Sequence, residues 1–153
     1  MIPLSPTYSG RILLIEDSLA DIRLFEAALQ TVENHPHVEI AYNGESALAL
    51  LEESSSLPDI IILDLNLPGM DGHEVLVKLK SDDRWTSIPV IVLSTTHCPQ
   101  EIRSVYRNHA SSFVSKSSDF GTFTTAIQCL CRHWFQTSVL PNFLTSPPCQ
   151  IDL

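Results

Sequence analysis

Short runs of apolar residues alternate with longer amphipathic stretches along the chain, and the alternation occurs five times. The apolar runs are typical of buried strands and are found at residues 11–16, 37–41, 59–65, 88–94 and 112–115. The amphipathic stretches predict helices at residues 18–32, 43–53, 71–80, 100–109 and 119–136. Five strand–helix units predict an α/β fold with a parallel sheet between helices, and the most apolar strand, 59–65, is expected at its centre.

Two helix starts carry recognisable capping residues. Ser18 and Asp21 have the spacing of a capping box, in which each side chain accepts a hydrogen bond from the other residue's backbone N–H. Asn43 is a favourable N-cap for the second helix. The first helix is therefore expected to begin directly after the end of the first strand.

The chain length of 153 residues fits one domain. We expect this domain at residues 10–136, between an N-terminal tail at 1–9 and a proline-containing C-terminal tail at 137–153. The last helix has apolar residues at intervals of three and four, namely Phe120, Phe123, Ile127, Leu130 and Trp134. These residues suffice to cover the sheet.

More apolar residues follow that stripe, namely Phe135, Val139, Leu140, Phe143 and Leu144. Exposed together, they would form the kind of contiguous patch that usually marks an interface. We therefore expect a homodimer held by the C-terminal tail, since symmetric dimers are the commonest assemblies. The alternative is that the tail folds back over its own domain.

Charge and composition restrict the function. The net charge is −9 and no basic cluster is present, so we expect no binding to nucleic acid or to anionic membrane surfaces. No apolar stretch is long enough to cross a bilayer, and the N-terminus lacks the features of a secretory signal, which predicts a cytoplasmic protein. The four cysteines lack zinc-site spacing and are expected to be free thiols.

Chemically active side chains are concentrated where the predicted strands end. They comprise three carboxylates, two hydroxyls and one lysine: Glu16, Asp17, Asp64, Ser94, Thr95 and Lys116. Open parallel sheets bind ligands outside the carboxyl ends of their strands. We therefore expect these side chains to converge on one cleft.

The chemistry of this set favours phosphoryl transfer to a side chain. Three carboxylates in one pocket repel each other, and Mg²⁺ would remove the repulsion because it prefers oxygen ligands. A carboxylate beside the cation can attack phosphorus and form an aspartyl phosphate. Lys116 and the Ser94 hydroxyl could stabilise the negative charge of the transition state together with the cation.

Four segments resemble the receiver domains of response regulators. They are ILLIEDS (12–18), IIILDLNLPGMDG (60–72), IPVIVLST (88–95) and FVSK (113–116), and their order and spacing agree over residues 10–136. The resemblance implies the flavodoxin-like, CheY-like fold, a doubly wound five-stranded parallel sheet in the order 2-1-3-4-5. It also implies a phosphorylation switch that acts only on itself and is not an enzyme for external substrates.

The resemblance also implies a role for individual residues. Asp64 would be the phosphate acceptor, Glu16 and Asp17 would organise Mg²⁺, and Asn66 would lend its backbone carbonyl to the metal. Lys116 would contact the phosphoryl group.

Ser94 and Phe113 stand at the family's two switch positions. Three departures from the common pattern are Glu16 in place of Asp, Phe113 in place of the frequent Tyr, and Ser117 in place of Pro. A cis bond before Ser117 would cost about 2.5–4 kcal/mol, so this loop is expected to differ from the usual one.

Three further segments are similar to the response regulators that serve bacterial phytochromes, especially cyanobacterial ones. They are LKSDDRWTSIPVIVLST, FVSKSSDF and HWFQTSVLPN. Those proteins are stand-alone receivers that tend to dimerise. The resemblance therefore implies that a light-sensing histidine kinase supplies the phosphoryl group.

Three other functions fit parts of the pattern. A phosphatase with an aspartyl phosphate would carry its nucleophile on the first strand and a second Asp two residues later, whereas position 66 here is Asn. A flavin-binding electron carrier would need a Ser/Thr-rich loop after the first strand, where this chain has Glu16 and Asp17. A pseudo-receiver, which binds partners without phosphorylation, would not need the intact acidic set.

Overall fold

The structure, a computed structural model, describes residues 9–141. Five parallel strands form one sheet: Arg11–Ile15 (β1), His37–Ala41 (β2), Ile60–Leu63 (β3), Val90–Ser94 (β4) and Ser112–Ser115 (β5). Five helices alternate with them: Leu19–Gln30 (α1), Gly44–Glu53 (α2), Gly72–Ser81 (α3), Pro99–Arg107 (α4) and Phe120–Arg132 (α5). The strand order β2-β1-β3-β4-β5 confirms the predicted doubly wound sheet, with β3 at its centre.

Alternation of side chains along the inner strands divides the core into two layers. Leu13 and Ile15 of β1 pack into the layer that contains Leu76 of α3, on one face of the sheet. Ile12 and Leu14 pack into the other layer, with residues of α1 and α5. Because successive side chains of a strand point to opposite faces, four consecutive apolar residues serve both layers.

Capping side chains begin four of the five helices. Ser18, Asn43, Asp71 and Asp119 each accept a hydrogen bond from the backbone N–H three residues further on. This confirms Ser18 and Asn43 as caps. The helix α4 begins instead with Pro99, whose fixed φ suits the first helical position.

The C-terminal part of the chain differs from the prediction. The α-helix α5 ends at Arg132 and a short π-helical segment, His133–Thr137, follows it. Phe120 is 45% exposed, so its assignment to the covering stripe was wrong: it is the first residue of the helix and lies beyond the sheet-covering residues Phe123 and Ile127.

The apolar residues after that helix are also used differently. Leu140 is 1% exposed and lies in the core layer of α1 and α5, and Phe135 packs against the same layer and against Gly10. The prediction that these two residues have no place on their own domain was wrong. Val139 is 67% exposed, as predicted, whereas Phe143 and Leu144 lie outside the described residues.

Two general properties hold for the described part of the chain. Residues 9–141 contain no cis peptide bond, so the bond between Lys116 and Ser117 is trans. No helix between residues 9 and 141 is both long enough and apolar enough to cross a membrane.

Adding a single methyl group at Gly72 should destabilise the fold, because α3 approaches the end of β3 closely at this residue. A Cβ atom there would lie 2.3 Å from the Asp64 carbonyl oxygen and 2.5 Å from the Leu65 Cα, both of which are backbone atoms that cannot rotate away. We expect Gly72→Ala to lower the free energy of unfolding by about 1–3 kcal/mol, measured by urea denaturation.

Gly121→Ala is the matched control, since a Cβ there meets only a side-chain atom of Asp119, at 3.5 Å. Alanine in this helix should be neutral or stabilise by up to about 1 kcal/mol. Similar urea midpoints for the two variants would contradict the close approach at Gly72.

Candidate functional site

The parallel register brings distant residues to one edge of the sheet. Pairing continues one residue beyond the strands: the Asp64 N–H donates to the Ile15 carbonyl at 3.0 Å, and the Lys116 N–H donates to the Ser94 carbonyl at 2.8 Å. Glu16 therefore lies beside Asp64, and Lys116 follows on the other side of β4. The structure brings together four of the six side chains that we expected in one cleft, namely Glu16, Asp17, Asp64 and Lys116.

Three carboxylates lie close enough to share a cation. Glu16, Asp17 and Asp64 each offer an oxygen, and these oxygens lie within 4.8 Å of one another. Glu16 is 3% exposed and Asp64 is 4% exposed, whereas Asp17 faces solvent. Oxygen ligands, two of them buried and one open to water, fit a hard divalent cation such as Mg²⁺ that retains some of its water ligands.

Lys116 supplies positive charge inside the same cleft. Its Nζ lies 2.8 Å from Glu16 Oε2, 2.9 Å from Asp21 Oδ2 and 3.3 Å from Asp64 Oδ2. An ammonium group has three N–H donors, and each can be directed at one of these carboxylates. The side chain is therefore fixed beside Asp64 before any ligand arrives.

Burial and the charges of neighbouring groups have opposite effects on the pKa values of Glu16 and Lys116. Burial raises the pKa of Glu16 to about 7, although the hydrogen bond and charge of Lys116 oppose the rise. For Lys116, burial lowers the pKa, but the hydrogen bonds to Glu16 and Asp21 and the charge of Asp64 outweigh it and hold the pKa above its usual value. A bound divalent cation would act in the same direction as Lys116 and favour the charged form of Glu16.

The chain beyond Asp64 turns so that its backbone faces the carboxylate. The Asn66 N–H donates to Asp64 Oδ1 at 3.2 Å, and Gly69 adopts a φ of 71°, which glycine tolerates best. The amide therefore orients Asp64, leaving Oδ2 on the Lys116 side. The metal contact of the Asn66 carbonyl stays a prediction.

The two predicted switch residues lie on the neighbouring strands. Ser94 is buried, and its Oγ accepts a hydrogen bond from the Thr96 N–H at 3.2 Å, while Thr95 is exposed. Phe113 is half-buried, and its N–H donates to the Tyr106 hydroxyl of α4 at 3.0 Å. This bond joins β5 to α4.

Asp21 is the site residue whose role sequence reasoning missed. The Asp21 N–H donates to Ser18 Oγ at 3.3 Å, but the reciprocal bond of the predicted capping box is absent among the hydrogen bonds of the described chain. The Ser18 N–H donates instead to Glu16 Oε1, at 3.1 Å, and the Asp21 carboxylate contacts Lys116.

Comparison with known proteins agrees with the fold. The family model described as the response regulator receiver domain matches residues 12–128, which is most of the chain. The chain therefore belongs to the receiver domain family of two-component signalling, in which an aspartate is phosphorylated with the help of a divalent cation.

Within this family, the chain is similar to phytochrome response regulators. It is 36% identical to the response regulator Rcp1 of Synechocystis sp. strain PCC 6803, over 85% of this chain and 92% of Rcp1. The crystal structure of the phosphorylated cyanobacterial phytochrome response regulator RcpA superposes with a TM-score of 0.82 at 36% identity, covering 88% of this chain and 99% of that one. For the Mn²⁺-bound form of Rcp1, the TM-score is 0.80 at 35% identity, over 86% and 99% of the two chains.

The carboxylate geometry predicts a cation-dependent stability that requires Asp17. Mg²⁺ at 100 times its dissociation constant should raise the free energy of unfolding by about 2.7 kcal/mol, because only the folded chain assembles the three carboxylates. In Asp17→Asn the dissociation constant should rise about tenfold or more, a loss of ~1.4 kcal/mol or more of binding free energy. Thermal unfolding across a Mg²⁺ titration measures both.

Asp83→Asn provides the control, because Asp83 is an exposed carboxylate outside the cluster. It should respond to Mg²⁺ like the wild-type chain. Equal dissociation constants for wild type and Asp17→Asn would remove Asp17 from the ligand set.

Proposed function

We propose that Asp64 accepts a phosphoryl group from a sensor histidine kinase. The observation that supports this most directly is the position of the Lys116 Nζ, 3.3 Å from Asp64 Oδ2 inside a cluster of carboxylates. In our proposal Glu16, Asp17 and Asp64 hold Mg²⁺ together with the backbone carbonyl of Asn66. The bound cation would neutralise negative charge on the transferred group.

The residues of the chain divide the rest of the chemistry among them. One carboxylate oxygen of Asp64 attacks phosphorus, and the P–N bond of a phosphohistidine breaks as the new O–P bond forms. The electron pair of the broken bond returns to the imidazole nitrogen of the donor. Lys116 donates N–H bonds to one phosphoryl oxygen, and the Ser94 hydroxyl can turn to donate to another. The same groups would assist hydrolysis of the aspartyl phosphate. In our proposal the chain therefore catalyses both the phosphorylation and the dephosphorylation of its own Asp64, and it acts on no external substrate.

A phytochrome-type histidine kinase is the partner that we propose. Its support is the similarity to Rcp1 and to RcpA, which is described as a phytochrome response regulator. The net charge of −9 supports a protein partner over nucleic acid. A location in the cytoplasm stays a prediction from sequence.

The readout that we propose is a repacking of the face formed by α4 and β5. Phosphorylation adds about −1.5 to −2 charges and three acceptor oxygens beside Ser94. If Ser94 moves to donate to one of them, its place becomes open to Phe113. The Tyr106 hydroxyl bonds the Phe113 N–H, so a shift of Phe113 would be transmitted directly to α4.

We also propose a domain at residues 10–136 with a C-terminal tail, 137–153, that takes part in a homodimer. Fewer apolar residues of the described chain are left for a dimer interface than the sequence indicated, because Leu140 and Phe135 pack on their own domain. Val139 and Phe120 are the exposed apolar residues in this region, at 67% and 45%.

Phosphorylation is tested with acetyl phosphate and Mg²⁺, which should add one phosphoryl group to the intact mass of the chain. Asp64→Asn should abolish the addition, because a neutral amide takes the place of the nucleophilic carboxylate, while Asp83→Asn should react at the wild-type rate. Incorporation by Asp64→Asn at the wild-type rate would show that another residue is the acceptor.

The proposed partner is tested in the same assay with two phosphorylated kinases. A phytochrome-type histidine kinase should transfer its phosphoryl group within minutes, and a histidine kinase with a chemical sensor should transfer much more slowly. Equal rates would contradict the phytochrome assignment and leave the assignment of Asp64 intact.

Light scattering at micromolar concentration tests the homodimer. The mass should be about twice the 17.0 kDa of one chain. Val139→Asp should shift it towards the monomer, because it places a charge on an exposed apolar position, whereas Glu26→Gln on α1 should not. A wild-type mass near one chain would end the dimer proposal.

A further inference from the structure

The three carboxylates that surround Lys116 differ in whether they also have a role in binding the cation or accepting the phosphoryl group. Glu16 and Asp64 belong to the cluster that can hold a cation, and Asp64 is also the proposed acceptor. Asp21 lies outside that cluster, on the first turn of α1, and its Oδ2 is 2.9 Å from the Lys116 Nζ. Its bond to Lys116 is therefore the one that can persist when a cation and a phosphoryl group occupy the cleft.

The side chain of Asp21 is not needed for capping its own helix. The bond that a capping box would assign to it, from the Ser18 N–H, is made by Glu16 Oε1 instead, at 3.1 Å. Ser18 alone caps the helix, through the Asp21 N–H. The carboxylate of Asp21 is thus free of a capping role and contacts Lys116 instead.

Lys116 needs such a support because its side chain is long and flexible. An ammonium on a four-carbon stem loses substantial rotamer entropy when it is fixed at one point. A bound cation would draw the charge of Glu16 towards itself, and phosphorylation of Asp64 would remove the carboxylate charge that Lys116 now contacts and place negative charge on the phosphoryl oxygens instead. Asp21 then remains to hold the Nζ beside the reacting atoms.

We propose that Asp21 is a positioning residue for Lys116, which it holds ready to donate to the phosphoryl group on Asp64. This inference rests on the proposed function, since it concerns the rate of that reaction. Asp21 itself touches neither the phosphoryl group nor the cation. Because Lys116 stabilises the same kind of transition state in gain and loss of the phosphoryl group, Asp21 should accelerate both.

The test measures phosphorylation rates with saturating Mg²⁺ and excess acetyl phosphate. Asp21→Asn should react about three- to tenfold more slowly, the range for a partly exposed ion pair that aids a transition state. Asp21→Glu retains the charge and should recover most of the rate. Glu26→Gln, which removes an exposed carboxylate from the same helix, should match the wild type.

A double-mutant cycle shows whether Asp21 acts through Lys116. In the Lys116→Ala background, followed over hours by intact mass, Asp21→Asn should cause no further loss of rate. An equal loss in both backgrounds would mean that Asp21 acts on the helix or the fold, and would overturn the inference. Wild-type rates in Asp21→Asn would overturn it as well.

Failure of the proposed function would look different. If the wild-type chain gains no phosphoryl group, the assignment of Asp64 fails and the positioning role fails with it. If the wild type is phosphorylated and Asp21→Asn is equally fast, only the role of Asp21 is lost. Loss of the rate in Asp21→Asn together with recovery in Asp21→Glu supports the inference.

Discussion

Buried carboxylates can share one cleft only if positive charge is placed among them. Glu16 and Asp64 are almost fully buried, and the Lys116 Nζ lies within 3.3 Å of both. In the low dielectric of such a site, an uncompensated carboxylate would become protonated or destabilise the fold. The cation and the phosphoryl group that we propose for this cleft would act on the same charge balance. When they bind, the negative charge of Glu16 and Asp64, which Lys116 now offsets alone, would be shared between Lys116 and the cation.

The rest of the fold keeps these charges in register. Lys116 is 100 residues from Glu16 along the chain, and only the parallel pairing of β1, β3, β4 and β5 brings the two together. Two apolar layers hold these strands from both faces. Gly72 allows α3 to approach the backbone of Asp64. The core therefore acts on function by fixing positions, because a small displacement of a reacting group is costly for catalysis.

Much of this arrangement could be predicted from the sequence, because strands and their ends have strong local signals. Hydrophobic runs predicted all five strands, and the polar residues that follow them predicted the cleft. The signals failed where tertiary contacts competed with local ones. Asp21 has the spacing of a capping residue but bonds Lys116, and Leu140 was assigned to the C-terminal tail but fills the core. Phe120 fits the helical period but begins the helix at an exposed position.

The central claim is that one cleft holds the cation and the phosphoryl group on Asp64, with Lys116 between the carboxylates. A crystal structure with Mg²⁺ and beryllofluoride, a mimic of the phosphoryl group, tests it most directly. We predict beryllofluoride on a carboxylate oxygen of Asp64, contacted by the Lys116 Nζ, with the cation bound by Asp17 and Asp64. Beryllofluoride on another residue, or a cation that touches neither Asp17 nor Asp64, would contradict the claim.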